Sequence, residues 1–299
     1  MVAKTSPGYN QSHLVENVVR KSMVIRPSGR STDFISPSFA FGCGFNCTYC
    51  TCKRHVAEGI TIATNVNQIL TEINNHAMFA VVDKPNQTHP TFVSYDIGCN
   101  FDLPLHAKHI EWEYIFDFFK NHPRAMGSFA TKYVNDKLCT YNPEGKIRIR
   151  FSLMPQHYAD LLEPNTSQIS DRIKAINRFI EAGYDVHVNF SPVIYEKNWT
   201  DAYKELFMQL DHAVNPEYKD RVKAEVIFLT HNEEKHKRNL IYDLPGEYLI
   251  WRPEIQENKI SQYGGKNIRY KHDLKAQYIK EWTNLHDEII SWNTIRYIF

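Results

Sequence analysis

Apolar residues along this chain recur with two different spacings, and the two alternate. Short runs rich in β-branched and aromatic residues read as six strands: Ser36 to Phe41, Thr91 to Tyr95, Gly127 to Thr131, Lys146 to Leu153, Tyr184 to Pro192 and Ala224 to Thr230. Helical stretches lie between them. Val66 to His76 carries apolar residues at 66, 69, 70 and 73, and His109 to Phe119 is dense in aromatics. Ser170 to Ala182 sets Ile173, Ile176, Phe179 and Ile180 on one face, and Trp199 to Leu210 repeats the pattern. Pro164 to Ser167 and Asn198 to Asp201 are the expected caps of these last two helices. Strand and helix in alternation predict an α/β fold with a parallel sheet and crossover helices. Six such units, with no seventh or eighth in view, predict an open, partial (β/α)6 TIM-like barrel whose chemistry sits at the C-terminal ends of its strands. The expected division is a lead-in over 1–32, the barrel over 33–238 and a C-terminal extension over 239–299, with a hairpin near Gly264-Gly265 and a long helix from His272 to Trp292.

Composition narrows the class. The 299 residues carry 35 Lys and Arg against 34 Asp and Glu, which excludes a polycation or an acidic tail protein. No apolar run approaches the ~20 residues of a membrane span, and Met1 to Pro7 lacks the features of a secretion signal, so a soluble, cytoplasmic protein is expected with no membrane partner. Four of the six cysteines fall between 43 and 52, and in a reducing compartment such a cluster reads as a metal or cofactor site rather than a disulfide frame.

The first strand runs directly into Cys43-Gly44-Phe45-Asn46-Cys47-Thr48-Tyr49-Cys50, a C-x3-C-x2-C loop. Three thiolates at this spacing can hold three irons of a 4Fe-4S cluster and leave the fourth open to a reactant. The competing reading is a structural zinc held by Cys43, Cys47, Cys50 and Cys52, with His55 nearby, although zinc knuckles normally pair two C-x2-C turns across a longer loop.

This loop resembles the signature of the radical S-adenosylmethionine (radical SAM) enzymes, and further segments resemble their spore photoproduct lyase branch. Thr91 to Asp102, Phe129-Ala130-Thr131-Lys132, Arg148 to Ser152, Glu163 to Ser167 with Arg172, Ser191 to Ile194 and Gln262 to Lys266 follow that family's motifs in order, over about residues 36 to 270. The resemblance implies a 4Fe-4S cluster on Cys43, Cys47 and Cys50, with S-adenosyl-L-methionine chelated at the open iron. One electron, from a donor such as flavodoxin or ferredoxin, would then yield a 5'-deoxyadenosyl radical that abstracts hydrogen from substrate. It further implies a DNA-repair lyase acting on a thymine-thymine photolesion, Cys99 as the hydrogen donor to the repaired thymine, Tyr49 as an assisting residue, and Lys132, Ser152 and Asp102 beside the cofactor. Thr51 stands where the family has a second tyrosine, and Asn100-Phe101 replaces its Thr-Ser pair.

Read without the resemblance, these residues keep plainer alternatives. Cys99 could pack as a small hydrophobe, Lys132 could be a solvated loop lysine, and Asp96 could cap a turn. Arg148 and Arg150 share one strand face, pointing either into the barrel at an anion or outward at helices. Cys139 and Cys52 have no assigned role, and His231, His236 and His272 are expected to be exposed.

Charge is unevenly placed. Residues 17–32 hold Arg20, Lys21, Arg26 and Arg30 with no acid, and residues 256–275 hold five cations against two carboxylates. Lys266, Arg269 and Tyr263 on the expected hairpin combine cation and aromatic ring as a DNA-contacting element would, and a lesion reaching a barrel interior has to leave the base stack. Other readings are a radical enzyme acting on RNA, a nucleotide or a peptide, and a metal-stabilised nucleic-acid-binding protein without catalysis.

Overall fold

Seven strands and their crossovers make the frame of a computed structural model that describes residues 15–50, 59–79, 84–86, 88–260 and 264–299. In chain order they are β1 (Phe34–Ile35), β2 (Val93–Asp96), β3 (Ala125–Thr131), β4 (Ile147–Leu153), β5 (Asp185–Val193), β6 (Ala224–Phe228) and β7 (Ile295–Ile298). Each lies parallel to its chain neighbour, and Arg26–Pro27 adds an antiparallel edge to β1. The sheet curls without closing into a barrel, as the alternation predicts.

The core lies on the convex side. All seven residues of β4 are buried, so both faces of the strand are covered, and Phe151 meets Phe179 of the helix Ile169–Glu181 edge to face at 5.3 Å. That helix buries Ile169, Ile173, Ile176, Phe179 and Ile180 on one side. Trp282 of the helix His272–Ile289 is fully buried, with ring centroids 5.2 Å from Phe190 and 5.0 Å from Phe207. Chain reversal after Ile169–Glu181 needs Gly183, at φ +95°, where an added Cβ would lie 2.0 Å from the Asn142 side chain.

Several local expectations are corrected. The stretch Ser36 to Phe41 is not one strand. Pro37 has no N–H to donate, so the ladder stops after β1, and Ala40–Phe41 joins a separate three-stranded sheet with Ile60–Ala63 and Val15–Val18. The Ala40–Phe41 and Ile60–Ala63 pair is the base from which the cysteine loop projects. The expected caps are also absent: Asn198 sits at φ 64° with no side-chain cap bond, and Ser167 accepts from the backbone N–H of Val134 instead. The long helix ends at Ile289, after which the chain supplies β7 beside β6. A further helix, Gln156–Leu162, follows β4. Residues Gln256–Ile260 and Lys266–Tyr270 form an antiparallel hairpin, extended by Thr230–His231. Among the described residues no helix is long and apolar enough to cross a membrane.

Candidate active site

The cysteine loop is shaped by two residues in the left-handed region, Gly42 at φ 98° and Asn46 at φ 59°. Cys47 is buried, Cys43 and Cys50 are half-buried, and none is in a disulfide. Burial pushes the Cys43 thiol well above its ordinary range, and Asp102, Cys50 and Cys47 push it further, because each is a negative charge close at hand. The three cysteines thus lie on one short loop, close enough for Cys47 and Cys50 each to oppose ionisation of Cys43. Three soft thiols on one loop, none in a disulfide, are a fitting donor set for an iron-sulfur cluster. Cys52 and His55 lie outside the described residues.

The loop is held from three sides. Gly42 N–H donates to Asn100 O at 3.1 Å, tying it to the turn that carries Cys99, and Thr48 N–H donates to Leu162 O at 2.9 Å. Thr48 Oγ1 donates to Pro245 O at 2.8 Å, from the C-terminal part of the chain.

Tyr49 projects from this loop and donates its hydroxyl to Glu163 Oε1. Glu163 also pairs with Arg172 at 2.8 Å, and both side chains are fully buried. Arg172 spends its remaining donors on Ser152 O at 2.8 Å, Ser167 O at 2.9 Å and Thr166 Oγ1 at 2.7 Å. Burial first, then Glu163 and Cys47, hold the Tyr49 phenol well above its usual range, so it remains a hydrogen-bond donor. Lys132 Nζ lies 5.6 Å from the Tyr49 ring centre. Burial alone would lower the Lys132 ammonium, but Glu163, Cys47 and Cys50 outweigh it and keep the lysine charged beside the thiols. Glu163 and Arg172 carry no role in the sequence reading. Their only signal there is their place in the family-like string after β4.

Asp102 is a bracket. Its carboxylate accepts from Thr131 Oγ1 at 2.7 Å, Lys132 N–H at 2.9 Å and Leu105 N–H at 3.4 Å, capping the short helix Leu103–His106. Cys99 follows β2, and Gly98 before it is obligatory because an added Cβ would stand 2.8 Å from Phe129 Cβ. Burial and Asp96 push the Cys99 thiol up to about 11, against the opposing pull of Arg26 and Arg150. At neutral pH it keeps its S–H.

The concave face is a charged lattice. Arg148 and Arg150 point inward: Arg148 pairs with Asp185 at 2.7 Å, and Arg150 reaches Asp96 at 2.9 Å and Glu225 at 3.3 Å. Glu225 is also paired with Arg296 at 2.5 Å, from β7. Both arginines of β4 are therefore spent on carboxylates, and Asp96 also caps its own turn, accepting from Gly98 N–H at 2.9 Å. Ser152 is buried on the same face, in register with Asn189 of β5. Four buried polar atoms on these strands have no protein hydrogen-bond partner: Ser128 Oγ, Arg150 Nε, His187 Nδ1 and Asn189 Oδ1. Orphans of this kind are what a polar ligand such as S-adenosylmethionine can satisfy.

Outside the lattice, the two basic stretches of the sequence meet. Arg30, Lys259 and Lys275 lie 4.4, 5.5 and 4.8 Å from the ring centre of Phe299, and burial together with Arg269, Lys259 and Arg30 lowers Lys275 to about 8. Lys266 is exposed on the hairpin, Arg269 is paired with Glu257 at 3.1 Å, and Tyr263 lies outside the described residues. His272 is exposed as expected, but His231 is buried and His236 half-buried. Both bind Glu247 Oε1, at 2.9 and 2.6 Å, which the polar stretches around them conceal. Burial would raise Glu247, but hydrogen bonds from His231, Asn239 and His236 hold it below the ordinary carboxylate range.

The family model for spore photoproduct lyase matches residues 9–299. The chain belongs to the spore photoproduct lyase family. It is 27% identical over 265 residues to the spore photoproduct lyase of Bacillus subtilis (strain 168), covering 86% of this chain and 74% of that one. The enzyme of Geobacillus sp. (strain Y412MC61) is 24% identical over 197 residues, covering 64% of this chain and 55% of that one. The fold matches a solved spore photoproduct lyase complexed with dinucleoside spore photoproduct, at TM-score 0.84, 20% identity, and coverage of 95% of this chain and 82% of that one. A mutant of spore photoproduct lyase with bound AdoMet and dinucleoside spore photoproduct matches at TM-score 0.84 and 18% identity over the same shares. Membership makes the chain a radical SAM lyase with a 4Fe-4S cluster and S-adenosylmethionine as its cofactors.

Proposed function

We propose that this enzyme repairs DNA by splitting the thymine-thymine bond of spore photoproduct, the lesion for which its relatives are named. Cys43, Cys47 and Cys50 hold the cluster, Lys132 and Ser152 serve S-adenosylmethionine, and Asp102 positions Lys132 through its backbone. The cofactors supply one-electron chemistry that ends in hydrogen abstraction from the substrate. The protein's own part is to position, to shield and to return a hydrogen atom. Cys99 does the last, with Tyr49 assisting. An S–H bond is weaker than C–H, so a carbon radical takes its hydrogen readily.

The observation that carries this reading is the bond from Gly42 N–H to Asn100 O at 3.1 Å. It fastens the loop of cluster cysteines to the residue after Cys99, so the initiating group and the hydrogen donor share one rigid rim. The basic hairpin with Lys266 and Arg269, together with Arg30, Lys259 and Lys275, is suited to a phosphate backbone, with Tyr263 as the aromatic residue expected to contact the DNA. A one-electron carrier of the flavodoxin or ferredoxin kind would reduce the cluster, and the cytoplasm would keep the thiols reduced.

The test is incubation of the reduced enzyme with ultraviolet-irradiated DNA, following 5'-deoxyadenosine and recovered thymine. Cys99→Ala is expected to keep lesion consumption but to divert the product from intact thymine. Unchanged product with Cys99→Ala would remove Cys99 from its role, and no thymine recovery by the wild type would remove the substrate.

A further inference from the structure

In the four-residue turn Cys47-Thr48-Tyr49-Cys50, the carbonyl of Cys47 is taken within the turn by Cys50 N–H at 3.0 Å, while those of Thr48 and Tyr49 accept from Asn239 and from Lys235 Nζ, two side chains of the helix Glu233–Ile241. Asn239 Nδ2 donates to Thr48 O at 2.9 Å and, with its other hydrogen, to Glu247 Oε2 at 2.6 Å. Asn239 is 1% exposed. Its amide orientation is forced, because turning it over would set its oxygen against two acceptors. Glu247 is fixed in turn: its other oxygen takes His231 Nε2 at 2.9 Å and His236 Nδ1 at 2.6 Å. The His236 ring stacks on Trp251, with centroids 4.1 Å apart and planes 8° apart. Thr48 Oγ1 closes the contact through Pro245 O, two residues before Glu247.

We infer that Glu247, clamped by His231 and His236, acts through Asn239 as a positioning residue for the cluster-binding turn, holding the second and third cysteines at the spacing the cluster requires. This rests on the reading of Cys43, Cys47 and Cys50 as its ligands. The reason is geometric. Thr48 lies between those two ligands, so its carbonyl direction sets the twist of the turn, and a carboxylate anchored from three sides fixes that direction far better than water would. Outer groups of this kind orient the ligands of a metal site without touching the metal. The assembly also explains why a chain segment more than 180 residues after the loop packs against it, since Asn239 and Thr48 are 191 positions apart.

Glu247→Gln tests this with little change of shape. A glutamine that still accepts from the histidines presents its NH2 to Asn239 Nδ2, donor against donor, and Asn239 must release either it or Thr48. In anaerobically reconstituted enzyme, Glu247→Gln and Asn239→Ala are expected to lose iron to a chelator about tenfold faster than the wild type, equivalent to ~1.4 kcal/mol. The electron paramagnetic resonance signal of the reduced cluster is expected to shift while the far-ultraviolet circular dichroism stays unchanged. Tyr248→Ser, exposed on the short helix Glu247–Ile250, is expected to leave all three unaltered. Wild-type release rate and signal in both variants would overturn the inference, as would iron loss only in proportion to lost folded protein. An equivalent of zinc that Glu247→Gln removes would replace it with a metal site. A wild type that holds no four-iron cluster would take down the ligand assignment as well, so the two failures are told apart.

Discussion

Arg150 reaches Asp96 at 2.9 Å across the width of β3, the strand that separates their own. The same guanidinium takes Glu225 at 3.3 Å from two strands away on the other side, so one side chain spans five strands of the concave face. Burial would lower Arg150, but Glu225 and Asp96 outweigh it and hold its charge. Arg150→Met leaves two inward carboxylates short of a partner and is expected to cost about 3–5 kcal/mol in urea unfolding. Arg150→Lys is expected to cost nearly as much, since one ammonium cannot serve both acids. A loss below about 1 kcal/mol in either would show the lattice to be ornamental.

Cys50→Ala removes one of three sulfurs. Reconstituted protein is expected to fall from about four irons per chain to a small fraction and to lose the broad visible absorbance of the cluster. Full iron content would dismiss Cys50 as a ligand.

Glu163→Gln separates a buried pair in which neither side chain meets solvent. Arg172 keeps its three neutral acceptors, so the expected penalty is at the lower end for a broken buried pair, about 3 kcal/mol. Equal unfolding midpoints for variant and wild type would contradict it.

His187 gives the stability a slope with pH. Burial first, then Arg148, lower it from its ordinary value to about 4. Between roughly pH 6.5 and pH 4 the unfolded chain therefore binds a proton that the native chain refuses, and stability falls as pH falls through that window. Above it the contribution is fully present. Denaturation at pH 7, 5.5 and 4.5 is expected to show a loss of a few kcal/mol in the wild type, of order 1.4 kcal/mol per unit of depressed pKa, and a flatter profile in His187→Gln. Identical slopes would exclude His187 as the source.

What was legible in the sequence was what is local. The cysteine spacing lies within eight residues, and the strand-helix alternation is written in burial of neighbours along one element, so both survive into the structure. Ser36 to Phe41 misled because its apolar pattern continues through Pro37, where the ladder cannot. β7 was hidden for the opposite reason: its four residues are only half-buried and follow a helix whose polar pattern runs on to Trp292. The partners of Tyr49, Arg150 and Glu247 could not be read at all. Each depends on which strands lie side by side and which face of each turns inward, and a lone acid or histidine in a polar stretch carries no mark of that. Arg148 and Arg150 were visible as a pair on one face, but only the sheet order told which face.

The curled sheet leaves its two edges unpaired, yet they meet through side chains. Ser31 Oγ and Tyr297 OH are 2.7 Å apart across 266 residues of chain, and Arg296 donates to Ser31 O at 3.4 Å. Every other strand of the parallel run finds its neighbour next in line, so the sheet can grow strand by strand as the chain is made, with low contact order until the last step. That step is the seam. Glu225 is in place 71 residues before Arg296 arrives to pair with it, and until then it shares the Arg150 guanidinium with Asp96. Sealing therefore brings the second cation, and two carboxylates that had divided one guanidinium are matched charge for charge only when β7 docks.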